Sequence, residues 1–243
     1  MMHPLGKGAY SMIFRQLFEP ESSTYTYLVG CESTREAALI DPVLEAADRD
    51  LALIDVLGLT LRYTLETHIH ADHVTGAARL RKVTGSKAAV PEKSGADHVD
   101  LPLREGEPIA LGTLVLEPLY TPGHTDDHHV YLLRSADGLR VFTGDALMID
   151  GCGRTDFQNG DPARLYRSVH EKIFALPDDT LVYPGHDYQQ RRVSTVGQER
   201  ARNPRLGNGK SVDEFVAIMN GLNLPRPRKM DLAVPANRQC GES

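Results

Sequence analysis

The sequence predicts an α/β protein in which two β-sheets pack face to face with helices outside them. Two observations point there. Short apolar or alternating stretches of strand character come in two blocks, each followed by stretches with helical spacing, instead of the strict strand–helix alternation of a doubly wound sheet. The chain of 243 residues also suits one large domain, here with a helical and irregular C-terminal extension from about residue 194 to 243.

Ile13 to Phe18 and Tyr25 to Val29 read as strands joined by a Pro/Ser-bearing turn, and Ala37 to Ile40 as a third strand stopped by Asp41-Pro42. Pro42 suits the first turn of a helix whose apolar positions run from Leu44 to Leu57, with Gly58 ending it. Leu61 to Leu65 is the next strand. Asp72 suits the N-cap of a following helix, Val74 to Lys82, and Gly85 stops it. A short strand Ala88 to Val90 closes the first block. Ile109 to Leu111, Leu114 to Tyr120, His129 to Leu133 and Leu139 to Phe142 form the second. Asp161 to Ala175 predicts a helix, with Asp161 as cap, Pro162 at its first position and Leu165, Val169, Ile173 and Phe174 as its apolar stripe. Leu181 to Tyr183 is read as the final strand, and Val212 to Asn220 as an amphipathic helix in a tail rich in Pro, Gly and Asn.

Hydrophobic residues make up 41% and charged residues 25% of the chain, and the net charge is −6 with no Lys/Arg block. That balance offers nothing to nucleic acid or to an anionic membrane, and no apolar run reaches the roughly 18 residues of a membrane span. Met1 to Tyr10 lacks the pattern of a signal peptide. Cys31, Cys152 and Cys240 are odd in number and far apart, which suits a reducing compartment, by default the cytoplasm.

The chemistry concentrates in Thr67-His68-Ile69-His70-Ala71-Asp72-His73, where three imidazoles and a carboxylate fall within six consecutive residues directly after a strand. Neutral imidazole is the commonest metal ligand, and so dense a set of N and O donors predicts a metal site. Three further strand ends carry a metal-competent residue beside glycine: Gly123-His124, Gly144-Asp145 and Gly185-His186. Glycine there allows a sharp turn and a close approach to a ligand. One such loop means little; together with the His cluster they predict a single pocket built from strand C-termini.

His68-Ile69-His70-Ala71-Asp72-His73 followed by His124, Asp145 and His186 resembles the ligand series of the metallo-β-lactamase superfamily. Thr67 to Gly76, Gly151-Cys152-Gly153-Arg154-Thr155-Asp156-Phe157, Tyr183 to Tyr188, Leu222-Asn223-Leu224-Pro225 and Val234-Pro235-Ala236-Asn237 resemble its persulfide dioxygenase branch, related to glyoxalase II. The resemblance implies an αββα sandwich of two mixed sheets with the metal at one edge. It implies one Fe(II) per chain on His68, His124 and Asp145, a two-His, one-carboxylate set suited to non-haem iron oxygenases. It also implies oxidation of glutathione persulfide by dioxygen and water to glutathione and sulfite.

On this reading His70, Asp72, His73, His186 and Asp187 surround the ligands and orient them. Arg154 is the first candidate to bind a glutathione carboxylate, with Tyr188 and Arg205 behind it. After Gly123-His124-Thr125 the chain departs from many relatives, reading Asp126-Asp127-His128-His129, and these are expected at the surface. His3, His98 and His170 are read as incidental. Cys152 is expected to be a small buried hydrophobe, while Cys240 sits in a tail that relatives fold back towards the site. Two other functions stay open: a binuclear-zinc glutathione thioesterase, for which every ligand is also present, and a non-catalytic metal-binding module. A homodimer, and a rhodanese-like sulfurtransferase acting in trans, are open as partners.

Overall fold

The computed structural model describes residues 11–242. Six strands form the first sheet, in order β1 (Met12–Glu19), β2 (Thr24–Cys31), β3 (Glu36–Ile40), β4 (Thr60–Leu65), β5 (Lys87–Pro91) and β6 (Leu101–Leu103). β1 to β3 are antiparallel, and β3 to β6 run parallel. The second sheet runs β12-β11-β10-β9-β8-β7, built from β7 (Ile109–Leu111), β8 (Leu114–Tyr120), β9 (His129–Ser135), β10 (Gly138–Gly144), β11 (Leu181–Pro184) and β12 (Ser194–Thr195). Only β10 and β11 pair in parallel there.

The side-chain period of two explains the layering. In β3, Ala38 and Ile40 enter the core between the sheets, whereas Ala37 and Leu39 join the outer cluster with Leu28, Ile54 and Leu80. In β9, Tyr131 and Leu133 face inward while Val130 and Leu132 face a third cluster with Leu165, Val169 and Phe215. Strands covered on both faces read as continuous apolar runs. Each fully buried Leu or Ile contributes about 1.5–3 kcal/mol relative to an exposed one. Helices α1 (Ala47–Val56) and α2 (Ala77–Thr84) cover the first sheet; α3 (Pro162–Ser168), α4 (Val196–Arg202) and α5 (Val212–Asn220) lie with the second. α6 (Met230–Arg238) closes the tail. The fold is the expected αββα sandwich.

Local expectations meet mixed outcomes. Asp161 does cap α3, its side chain accepting from the Arg164 N–H, but the expected long helix divides, passing after Ser168 into a π-helical turn, Val169–Ile173. Gly85 ends α2 in the left-handed conformation, as expected. Asp72 does not cap that helix: α2 begins at Ala77, behind Gly76, and Thr75 between them is taken up in a bridge to Val43. Pro42 likewise stands outside the helix, which opens with a 3-10 turn at Leu44–Ala46. β11 is not the last strand, since β12 pairs antiparallel with it. The tail expected to hold one helix carries α4, α5 and α6, the last with Pro235 inside it. His3 lies outside the described residues. No helix among them is long and apolar enough to cross a membrane.

Candidate metal centre

The loops after β4, β8, β10 and β11 meet at one edge of the sandwich. Backbone hydrogen bonds help tie the sheets together there. His129 N–H donates to the Thr67 carbonyl at 2.8 Å, and Tyr25 N–H to the Gly185 carbonyl at 2.8 Å. Gly144, at φ +47°, lets β10 approach closely: a Cβ there would lie 2.7 Å from His128 Nε2 and 2.8 Å from Thr67 Oγ1.

His68, His124 and Asp145 each present one ligand atom, and the three atoms lie within 4.8 Å of one another. Hydrogen bonding fixes how they face. Thr67 Oγ1 donates to Asp41 Oδ2 at 2.9 Å, so it accepts from His68 Nδ1 at 2.9 Å and leaves the Nε2 lone pair of His68 free. His124 Nδ1 donates to the Arg154 carbonyl at 2.7 Å, which frees its Nε2, 3.4 Å from Asp145 Oδ2. Asp145 Oδ1 is buried without a hydrogen-bond partner. Acceptors thus converge with no donor among them, an arrangement that costs free energy unless a cation sits between them. Burial, reinforced by His70, His124, His128 and His186, holds His68 well below the ordinary histidine range and so neutral. The donor set fits a divalent metal.

A second group, His70, Asp72 and His73, also brings ligand atoms together; His70 Nδ1 and His73 Nε2 are buried without a hydrogen-bond partner, while its other atoms are engaged. His70 Nε2 donates to Asp41 Oδ1 at 3.0 Å, with Glu66 Oε2 at 3.5 Å. Burial alone would lower the His70 pKa; Asp41, Glu66 and Asp72 carry it well above the usual range. Asp72 Oδ2 lies 3.0 Å from His73 Nδ1 and 3.6 Å from His186 Nε2, whose Nδ1 donates to the Ser23 carbonyl at 3.2 Å. His186 Nε2 also lies 3.5 Å from Asp145 Oδ1. Burial opposes its protonation, and Asp145 and Asp72 more than offset that, raising its pKa. Asp187 accepts from Arg191 and from the Gln189 N–H, fixing the loop after His186.

The cavity in front of this edge encloses about 710 Å³, within the range of small-molecule sites. Arg154, Tyr188 and Arg205 all line it. Most Arg154 donors are already engaged: Nε and one terminal nitrogen grip Asp156 at 2.6 and 2.7 Å, and the other terminal nitrogen donates to the Pro225 carbonyl at 2.6 Å. Arg205 donates to the Cys152 carbonyl at 2.8 Å and makes no ion pair among the described residues; Tyr188 is 78% exposed, its ring parallel to that of His186. Cys152 is buried beside Met219 and Arg205, as expected, and burial pushes its thiol up to about 11.

His128 and His129 are not surface residues. Both are buried, because the β8–β9 turn folds inward to meet the His68 loop. Several contributors were missed from sequence. Asp41 read only as a strand stop, yet it supports both Thr67 and His70; its place at the end of β3, beside β4, was the available signal. Asn237 in α6 donates to the carbonyls of His70 and His73 at 2.9 and 2.8 Å, and accepts from Thr75 N–H at 2.8 Å. The tail does fold back, with the Cys240 thiol donating to the Asp97 carbonyl. His98 is exposed, and His170 packs on Tyr166 away from the pocket.

The sequence signature described as the metallo-beta-lactamase superfamily matches residues 20–186. The chain belongs to that superfamily. Among its members, human mitochondrial persulfide dioxygenase ETHE1 is 52% identical over 97% of this chain and 91% of its own length. The crystal structure of ETHE1 from Myxococcus xanthus superposes with a TM-score of 0.90 at 54% identity, covering 95% of this chain and all of that one. A hydroxyacylglutathione hydrolase of a Polaromonas species is 40% identical over 70% of this chain and 64% of its own.

Proposed function

We propose that this superfamily member is a persulfide dioxygenase that holds one Fe(II) on His68, His124 and Asp145. It converts glutathione persulfide, dioxygen and water to glutathione, sulfite and two protons. The near full-length likeness to two ETHE1 proteins carries the activity. The convergence of two imidazole lone pairs and one carboxylate supports the ligand assignment. Fe(II) in such a site supplies the redox chemistry with dioxygen that zinc lacks.

The chain's own residues bind and orient. Thr67 and the Arg154 carbonyl hold the two imidazoles in the tautomer that aims Nε2 at the centre. Glutathione brings two carboxylates, and two pocket-lining cations, Arg205 and Arg228, make no ion pair among the described residues. We assign substrate recognition chiefly to this pair. Arg154 anchors the segment Leu224–Pro225 and thereby the wall that carries Arg228. All three cysteines are free and buried, which supports a reducing compartment such as the cytoplasm.

The runner-up is a binuclear glutathione thioesterase. It draws on the Polaromonas hydrolase and on His186, which lies beside Asp145 and Asp72, with His73 against Asp72, but that likeness covers less of the chain. Oxygen uptake separates the two. The Fe(II) protein is expected to consume oxygen with glutathione persulfide and to leave an acyl-glutathione thioester intact. Rapid thioester hydrolysis without oxygen uptake would overturn the dioxygenase reading.

A further inference from the structure

The turn between β8 and β9 touches every segment that carries a candidate ligand. Asp127 Oδ2 accepts the Ile69 N–H at 3.0 Å, between His68 and His70, and the His129 N–H reaches the Thr67 carbonyl. His128 is fully buried. Its Nε2 accepts the backbone N–H of Asp145 at 3.1 Å, so its proton sits on Nδ1 and is donated to Thr121 Oγ1 at 2.9 Å, three residues before His124. Its ring lies nearly parallel to that of His68 at 5.1 Å between centroids, and edge-on to that of His124 at 6.1 Å. One imidazole therefore contacts the frames of His68, His124 and Asp145 while offering the metal no free nitrogen.

We propose that Asp127 and His128 are positioning residues for the metal ligands, Asp127 fixing the backbone that presents His68 and His128 fixing the backbone that presents Asp145. This rests on His68, His124 and Asp145 being the ligands. The physical reason is that a carboxylate ligand swings with its backbone unless that backbone is held. The buried Asp145 N–H has His128 Nε2 as its acceptor, and losing it would leave a donor unsatisfied next to the metal. His128 thus sets the angle at which Asp145 meets the two imidazoles.

Three substitutions separate positioning from mere packing. In His128→Gln the side-chain amide reaches the place of Nε2 and can still accept from Asp145; in His128→Asn it reaches only the place of Nδ1, serving Thr121; His128→Leu serves neither. Each full-length variant is loaded with Co(II), and affinity and the visible d–d absorption are read, with His68→Ala as the control for the ligand set. We expect His128→Gln to keep the wild-type spectrum and affinity, and His128→Asn and His128→Leu to lose about 10–100-fold in affinity with an altered spectrum. Asp127→Ala should fall in the same range. If His68→Ala abolishes Co(II) binding while the Gln and Asn variants match each other, the positioning role is overturned and the ligand reading stands. Should His128→Leu fail to fold, the Gln–Asn comparison still decides. If His68→Ala keeps wild-type Co(II) binding, the ligand reading itself fails and this inference falls with it.

Discussion

The two histidine-rich clusters at the edge of the sandwich share residue types but differ in the protonation their surroundings favour: His68 is held neutral, and His70 is drawn towards its charged form. His68, His124 and Asp145 each receive support from behind, from Thr67, the Arg154 carbonyl and the His128 ring, and Asp145 Oδ1 makes no hydrogen bond, with His186 Nε2 3.5 Å away. In the second cluster His70 Nδ1 and His73 Nε2 are likewise buried without a partner, but the Asp72 carboxylate is engaged by His73 and Thr24, and Asp41, Glu66 and Asp72 draw His70 towards its protonated form. An imidazole held towards its protonated form must release a proton to take a metal, whereas His68 is already held neutral. The two clusters therefore compete unequally for metal, although a ligand motif treats them alike. The pocket wall differs in the same way: Arg154, Arg191 and Lys229 are held in ion pairs, whereas Arg205 and Arg228 make no ion pair with any described residue.

The sharpest way to break this comparison is to remove one member from each cluster. His68→Ala, His124→Ala and Asp145→Ala each leave two ligands and should empty the site and abolish turnover, read as metal per chain and oxygen uptake. Asp72→Ala should retain near-stoichiometric metal and lose about 10–100-fold in activity, the usual cost of a partner that only orients ligands. An Asp72→Ala protein that loses metal as completely as His68→Ala would erase the distinction.

Smaller effects test the cations. Half-buried Arg205 should contribute a charge-assisted hydrogen bond of about 1.5–3 kcal/mol, so Arg205→Ala should lower kcat/KM roughly ten- to a hundred-fold. Arg228 is exposed on the rim, where such contacts contribute about 0.2–1 kcal/mol, so Arg228→Ala should cost no more than about fivefold, mostly in KM. Arg228→Ala outdoing Arg205→Ala would reverse the assignment of the deeper and shallower contacts.

Much of the fold was legible because period-two alternation and terminal glycines report directly on which face of a strand is buried and where a helix stops. The same held for the four strand-end loops. What was hidden depended on contacts distant in sequence. Asp72 looks like a helix cap until Val43 is seen bridging Thr75. His128 and His129 look exposed because their polarity is local information, while their burial comes from the His68 loop more than fifty residues earlier. Asn237 could not be connected to His70 and His73 without the tail's path across the first sheet. Arg154 was found in the right wall, but its pairing with Asp156, two residues on, was as readable in the sequence as the residue itself.

The unequal competition between the clusters is tested most directly by counting metal. Protein purified anaerobically and saturated with Fe(II) should carry one ion per chain, and Asp72→Ala should carry the same. Two ions per wild-type chain falling to one in Asp72→Ala would contradict the account and give the site to a binuclear enzyme.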